Sequence, residues 1–420
     1  MYALCDVSAM YASCEKVFDP SIRNKPVVVL TNNDGCICAA CPIAKRLGVG
    51  KKFVPYFTMK DQLNAVGAVI RSSNYELYAD LSQRMMDTCA RFAPHHHIYS
   101  IDECFLYYGQ YQPSEGWQAH ATHIRKTVWK EVRLPIGVGV GATPTLAKAA
   151  NHASKRIEGF RGVAVIDHET MRRKILMQMD VTDVWGIGRR LGRRLHELGI
   201  KTAWQLACSK PALMRKHFSV LVENTVHELN GITKLSWDDV RAPKQQIYST
   251  RSFGKRVTSK EVLQQALLSH VTIAASKLRR QNGLAKTMQV FVSNSPHDET
   301  PFYRQACLHR FEVPTSDTLV IARAVSLMID QLYRAGVRFY KCGVGLVELV
   351  DAAGYQTDLF SISSDNPALM QCMDQINKRY GRNTLHIAGQ GIEPKYAMRR
   401  AFLSPQYTTR IADIPKIFCN

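Results

Sequence analysis

The 420-residue sequence lacks any apolar run of bilayer-spanning length, which takes about 20 consecutive apolar residues in a helix. Its first residues, Met-Tyr-Ala-Leu-Cys-Asp, show no basic leader and no small-residue cleavage site, and they already read as a strand. A cytoplasmic protein is the expectation. Acidic residues are scarce: 35 Asp and Glu stand against 55 Lys and Arg, for a formal net charge of +20. That deficit points to a polyanionic partner, either nucleic acid or an acidic membrane surface. The basic residues are spread through folded-looking segments, which favours a long binding surface over a disordered arm.

A disulfide framework is also missing. The 12 cysteines are scattered among strand-like and helical segments, a pattern of reduced, buried thiols. Cys36, Cys38 and Cys41 form a compact group, but no nearby Cys or His pair completes a zinc spacing, so small apolar packing is expected there. His95, His96 and His97 are consecutive and cannot share one strand face; a surface or strand-entry role is expected.

What is present supports real cores, since 46% of the residues are hydrophobic. The length suggests three to four domains. Two adjacent acids, Asp102 and Glu103, lie between the strand formers Ile98, Tyr99 and Ile101 and the run Phe105, Leu106 and Tyr107. They are expected at a hairpin tip or strand end. Adjacent carboxylates repel each other, and a divalent cation would relieve that repulsion. A second acid-ended strand, residues 2–7, brings Asp6, which would complete a three-carboxylate cluster beside the hairpin.

With residues 19–75 set aside as an inserted lobe holding a short strand at Pro26–Leu30, the first part of the chain reads β-α-β-β-α-β, the ferredoxin-like order. Its elements are the 2–7 strand, a helix from about Glu76 to Phe92, the acidic hairpin, a helix at 116–132, a strand at Leu134–Val140, a helix carrying Lys148 and Lys155, and a closing strand at Gly162–Ile166. Residues 167–240 read as helical. Here Gly186 and Gly188 frame a turn that opens a helix with Arg189, Arg190, Arg193 and Arg194. Helix N-termini and close-approach glycines suit contact with a phosphate backbone. Residues 241–350 repeat the β-α-β-β-α-β pattern, with Arg251, Lys255, Arg256, Arg304 and Arg310 on its strands. The fold class expected is therefore α+β and multidomain. Three acids at strand ends beside basic helices suggest two-metal phosphoryl transfer, with lysines holding the far phosphates.

Several segments occur in order: Asp6-Val-x-x-Met-Tyr-Ala-Ser-Cys-Glu15, Ser72-Ser-Asn-Tyr-Glu-Leu-Tyr-Ala-Asp80, Tyr99-Ser-Ile-Asp-Glu-Cys-Phe105, Leu146-Ala-Lys148 through Lys155, Trp185-Gly-Ile-Gly188, Ala388-Gly-Gln-Gly-Ile392 and Leu403-Ser-Pro-Gln-Tyr-Thr-Thr-Arg410. Together they resemble the Y-family translesion DNA polymerases, in their UmuC-like group, along essentially the whole chain. The resemblance implies a palm at 1–18 and 76–166, fingers at 19–75, and a thumb with a helix-hairpin-helix at 167–240. A ferredoxin-like little finger at 241–350 and a connector with a partner-binding segment at 351–420 follow. It implies two Mg²⁺ ions on Asp6, Asp102, Glu103 and the Val7 carbonyl. It also implies a Tyr11 steric gate next to Met10, basic contacts to the triphosphate from Lys45 and Lys155 with Lys148 nearby, and DNA contacts from Gly186, Gly188, Arg189 and Arg251. The peptide Gln356-Thr-Asp-Leu359-Phe360 resembles those that bind the β sliding clamp.

The expected function is error-prone synthesis on damaged primer-template DNA from deoxynucleoside triphosphates in a bacterial SOS response. Small side chains at Cys36 and Cys38 would leave a roomy roof over the nascent pair. UmuD-prime-like accessory subunits and a RecA filament are the implied partners, in a cytoplasmic protein that is nucleoid-associated when active. The fingers run Ala39-Ala-Cys-Pro-Ile-Ala-Lys45 departs from the polar run usual in the family, and Met10 stands where an aromatic residue is common. Ala39, Pro42 and Ile43 offer no side-chain donor to a phosphate, so weak nucleotide affinity is expected. The alternative is a catalytically weak DNA-binding scaffold that recruits repair partners.

Overall fold

A computed structural model describes residues 1–235, 243–356 and 363–415. The chain forms two compact units. The first unit begins with β1 (Tyr2–Val7) and α1 (Met10–Glu15), followed by β2 (Val27–Leu30), β3 (Ile37–Ala40), α2 (Pro42–Arg46), α3 (Tyr56–Ala65) and β4 (Val69–Ser72). It continues through α4 (Tyr75–Ala90), β5 (His95–Ile98), β6 (Glu103–Tyr107), α5 (Trp117–Val132), β7 (Ile136–Gly141), α6 (Pro144–Arg156) and β8 (Val163–Ile166).

The main sheet has the order β5-β6-β1-β7-β8. Its first four strands are antiparallel neighbours, the arrangement expected of a β-α-β-β-α-β unit. The closing strand β8 then pairs in parallel with β7, after a crossover through α6. Residues 27–40 and 69–72 form a separate sheet ordered β3-β2-β4. The sequence reading expected one short strand in this lobe. Ile37-Cys-Ala-Ala has modest strand propensity, and β3 exists because Val28 and Val29 are there to pair with it.

The sequence Ile-Gly-Val-Gly-Val-Gly of β7 sorts itself by the two-residue period of a strand. Ile136, Val138 and Val140 are buried on one face with Ile124, Val128 and Val132 of α5. Gly137, Gly139 and Gly141 lie on the other, opposite Asp6, Leu4 and Tyr2. With no side chains there, α6 lies directly against the strand. A Cβ on Gly139 would stand 2.1 Å from the Asn151 amide nitrogen and 2.4 Å from the Ala147 carbonyl oxygen. Asn151 fixes the contact by donating to the Leu4 and Gly137 carbonyls at 3.3 and 2.8 Å. The start of α6 is capped by the Thr143 hydroxyl, and the Thr145 N–H donates to the buried Glu228 carboxylate at 3.2 Å, a favourable site for negative charge.

Five helices follow in the same unit: α7 (Glu169–Gln178), α8 (Arg189–Glu197), α9 (Ala203–Ala207), α10 (Pro211–His217) and α11 (Val220–Leu229). Gly186 adopts a φ of 88° in the turn before α8, a left-handed conformation that favours glycine. The last part of this unit comes from far along the chain. Ser72 and Phe402 exchange hydrogen bonds at 3.0 Å. The Asn74 side chain caps α4 and also donates to the Ser404 carbonyl and hydroxyl at 3.2 and 3.0 Å. Tyr407 stacks on Phe18 with ring centroids 5.1 Å apart. The motif at 403–410 thus braces the start of α4.

The second unit contains β9 (Ile247–Val257), α12 (Lys260–Arg280), β10 (Gly283–Ser293), β11 (Arg304–Thr315), α13 (Thr318–Leu332) and β12 (Phe339–Asp351). This is again the β-α-β-β-α-β element order, but the strands are ordered β11-β10-β12-β9 and all antiparallel. A further helix, α14 (Pro367–Tyr380), is held by Arg279 of α12, whose guanidinium donates to both Asp374 carboxylate oxygens at 2.7 and 2.8 Å. Of the Gln356–Phe360 peptide, only Gln356 falls within the described residues. Among those residues no helix is long and apolar enough to cross a membrane.

Substituting Gly139→Ala is expected to force α6 off β7. Overpacking of this kind costs about 1–3 kcal/mol or more. A urea titration compared with the unsubstituted protein checks it, and an unchanged midpoint would refute the close packing.

Candidate active site

Three carboxylates meet at one end of the five-stranded sheet. Asp6, at the end of β1, stands directly opposite Glu103 at the start of β6, and such pairs place their Cβ atoms about 4.5–5.5 Å apart. Asp102 immediately precedes β6, and its carbonyl accepts the Val7 N–H at 2.9 Å, which ties the two strand ends together. The Ser100 hydroxyl donates to Asp102 Oδ1 at 2.5 Å. Burial raises the Glu103 carboxyl above its ordinary range, and Asp6 and Asp102 add to the shift while Lys148 opposes it.

The positive charge that such a cluster demands comes from α6. Lys155 donates to Asp6, and Lys148 donates to Glu103 Oε1 at 2.9 Å. Lys148 is also enclosed by aromatic rings, its ammonium 4.4 Å from the Tyr99 centroid and 4.8 Å from that of Trp185. Trp185 stacks on Phe105 at 5.9 Å and meets Tyr99 edge-on at 5.5 Å. Trp185 precedes the Gly186–Gly188 turn, so this ring packs the helical segment against the acidic strand end. The motif at 185–188 pointed to a phosphate-binding turn; this packing role of Trp185 could have been suspected only from a lone large aromatic beside glycines.

Tyr11, the second residue of α1, lies flat on Tyr78 with centroids 4.6 Å apart and planes 14° apart. Burial raises its phenol, and Tyr75, Cys38 and Asp102 contribute electrostatically, so the ring lies within electrostatic range of Asp102 and of Cys38 on β3. Beneath it, the Tyr78 hydroxyl donates to Glu15 at 2.5 Å, and the Arg71 guanidinium lies 3.5 Å from the same carboxylate. Burial raises the Glu15 carboxyl despite these partners. Met10 is buried instead, receiving the Cys14 thiol on its sulfur at 3.7 Å, so Tyr11 is the less buried member of this pair.

The structure brings Lys45 of α2 toward Lys155 across the sequence. Burial lowers the Lys45 ammonium, with further lowering from Lys52, Arg156 and Lys155. These four cations therefore share one neighbourhood. Sequence reasoning named Lys45 and Lys155 and passed over Lys52 and Arg156, although each adjoins another basic residue. Ala39 is buried in β3, and Pro42 opens α2, so the apolar fingers run serves the packing of its small sheet. Gly188 caps α8, Arg189 begins it, and both are exposed, as is Gly186. Arg251 is an exposed residue of β9 in the second unit.

The donor set at the acidic end is made of hard carboxylate oxygens, and two lysine ammonium groups already answer its charge. Of these features, the hard oxygen ligands are what a divalent cation takes. Replacing Tyr78 with Phe keeps the ring beneath Tyr11 but removes a donor from buried Glu15. A loss of about 1–3 kcal/mol of stability is expected, read by chemical denaturation; no loss would show that the hydroxyl contributes nothing.

The impB/mucB/samB family model matches residues 5–152, the C-terminal domain of that family residues 244–359, and the family's HHH motif residues 169–200. A domain of unknown function matches residues 367–417. The chain is 40% identical to UmuC of Salmonella typhimurium, over 99% of this chain and 100% of that protein. It is 38% identical to MucB of Escherichia coli over 99% of both, and 27% identical to DNA polymerase IV of Moorella thermoacetica over 92% of this chain and 94% of that one. Among solved structures, a Y-family DNA polymerase chimera built on Dbh aligns with a TM-score of 0.61 at 20% identity, covering 83% of this chain and 99% of the other. The insertion ternary complex of Dbh DNA polymerase aligns at 0.52 and 20% identity, covering 83% and 99%. These structures speak to the fold, while the full-length relatives speak to descent: the chain belongs to the impB/mucB/samB family, the UmuC-like members of the Y-family DNA polymerases.

Proposed function

We propose that the protein copies damaged template DNA, adding deoxynucleotides to a primer end with low fidelity as part of a bacterial SOS response. The observation that carries this reading is the convergence of Asp6, Asp102 and Glu103 at one sheet end, with Tyr11 in electrostatic range of Asp102, and Lys155, one of the Lys45, Lys52, Lys155 and Arg156 group, bonded to Asp6. Two Mg²⁺ ions held by the three carboxylates and the Val7 carbonyl would supply the positive charge that activates a primer hydroxyl and steadies a departing diphosphate.

The remaining roles belong to the chain's own side chains. Lys45 and Lys155, joined by Lys52 and Arg156, attract and orient the triphosphate. Lys148, fixed between Tyr99 and Trp185, holds Glu103 in place through its hydrogen bond. The Tyr11 ring, supported from below by Tyr78, fills the space that a ribose 2′-hydroxyl would need. Gly186, Gly188 and Arg189 in the thumb, and Arg251 in the little finger, contact the DNA backbone. In this reading the palm spans 1–18 and 76–166, the fingers 19–75, the thumb 167–240 and the little finger 241–350. The segment after 350 meets partners, with Gln356, Leu359 and Phe360 engaging the β sliding clamp. UmuD-prime-like subunits and a RecA filament complete the working assembly in the cytoplasm at the nucleoid.

Primer extension with Mg²⁺ separates this from the scaffold reading, which the apolar fingers run favours. Asp102→Ala is expected to lose several kcal/mol of transition-state stabilisation while DNA binding persists; full extension by the variant would overturn the assignment. Tyr11→Ala is expected to admit ribonucleotides. A variant that still polymerises with unchanged sugar selectivity rules out the gate.

A further inference from the structure

The face of the main sheet opposite the carboxylates holds a second cluster. Cys5 of β1, Cys89 of α4 and Cys104 of β6 converge there, with their three sulfurs within 4.8 Å of one another. All three residues have no solvent exposure (0%). Cys5 and Cys104 are direct cross-strand partners, and α4 brings Cys89 down onto them. Two of them adjoin the active site in sequence, Cys5 next to Asp6 and Cys104 next to Glu103, but the strand alternation turns their thiols to the other face. Nothing in the polymerase reading uses them.

We propose that these three cysteines bind one zinc ion. Three observations support a metal over simple apolar packing. First, the sulfurs come from three separate elements and already approach the spacing of a zinc thiolate site. Zn–S bonds of about 2.3 Å in tetrahedral geometry set sulfurs about 3.8 Å apart, so a modest contraction closes the site. Second, the donors are thiols, the soft ligands that zinc selects, and Met85 adds a thioether that accepts the Cys89 thiol at 3.6 Å. Third, a nitrogen donor lies nearby, outside that 4.8 Å group. His96 pairs with Leu106, two residues from Cys104 on the same face of β6, and lies within electrostatic range of Cys89. Its Nε2 is buried and has no hydrogen-bond partner among the described residues, and buried polar atoms ordinarily have one. Structural zinc is held by four ligands, and three cysteines with one histidine are a common set.

On binding, three S–H bonds break, three S–Zn bonds form and three protons pass to solvent, with no change of oxidation state. The site then carries one net negative charge, with Arg91 and His96 as the positive or polar groups near Cys89. Because the ligands are enclosed, the metal enters as the fold forms. Bound there, zinc clips β1, β6 and α4 together directly behind Asp6 and Glu103.

The full chain, produced with zinc supplied and then dialysed against a chelator, is expected to retain one zinc per molecule, and Cys89→Ala is expected to lose it. Zinc X-ray absorption on the unsubstituted protein is expected to show three sulfurs in the first shell. That measurement stands even if the variant fails to fold, and it distinguishes this site from zinc on the active-site carboxylates, whose shell would be oxygen. Absence of retained zinc, equal zinc in Cys89→Ala, or a first shell without sulfur would each overturn the proposal.

Discussion

Mutual repulsion among three carboxylates is the constraint on which the arrangement of the first unit depends. Asp6 and Glu103 face each other across a strand pair, with Asp102 beside them, and burial makes the charge on Glu103 harder still to sustain. Relief comes from Lys148 and Lys155, two helical positions on α6 seven residues apart, which therefore lie on one side of that helix. They reach the acids only because α6 sits against bare backbone at Gly137, Gly139 and Gly141. The glycines of β7, the buried Glu228 that receives the start of α6, and the aromatic enclosure of Lys148 are parts of one solution to one electrostatic problem.

Much of this was legible in the sequence where side chains repeat with a clear period. The β1 strand, the acidic hairpin, α4, α5 and the two long helices of the second unit all announced themselves through buried apolar residues at strand or helix spacing. The acids stood out because a strand core has no use for an unpaired Asp6. The small sheet was harder. β3 is Ile-Cys-Ala-Ala, and it forms through its pairing with β2 rather than through any preference of its own. Helix α14 was also missed, and the stretch after Phe402 was legible as a motif but not as a brace, because their order rests on Arg279 and on Asn74, partners distant in the chain. Trp185 was legible as part of a motif, but its stacking on Phe105 depends on two segments that only the fold brings together.

The two faces of the main sheet differ in chemistry as sharply as in packing. One carries hard oxygen donors with ammonium groups, and the other carries sulfur donors in an apolar core. The alternation of a strand places Asp6 and Cys5, one residue apart, on opposite sides. Adjacent positions thus present opposite coordination preferences without interfering with each other.

The bracing of α4 from beyond Phe402 sets a timetable for synthesis. Ser72 and Phe402 are separated by 330 positions. At the usual pace of translation, the interval between their emergence is on the order of tens of seconds. Throughout it, the Asn74 amide lacks the Ser404 acceptors, and Phe18 lacks the ring of Tyr407. The part of the molecule made first is therefore among the last to be finished. Until Phe402 and the residues after it emerge, a nascent chain leaves this edge of the first unit without its brace.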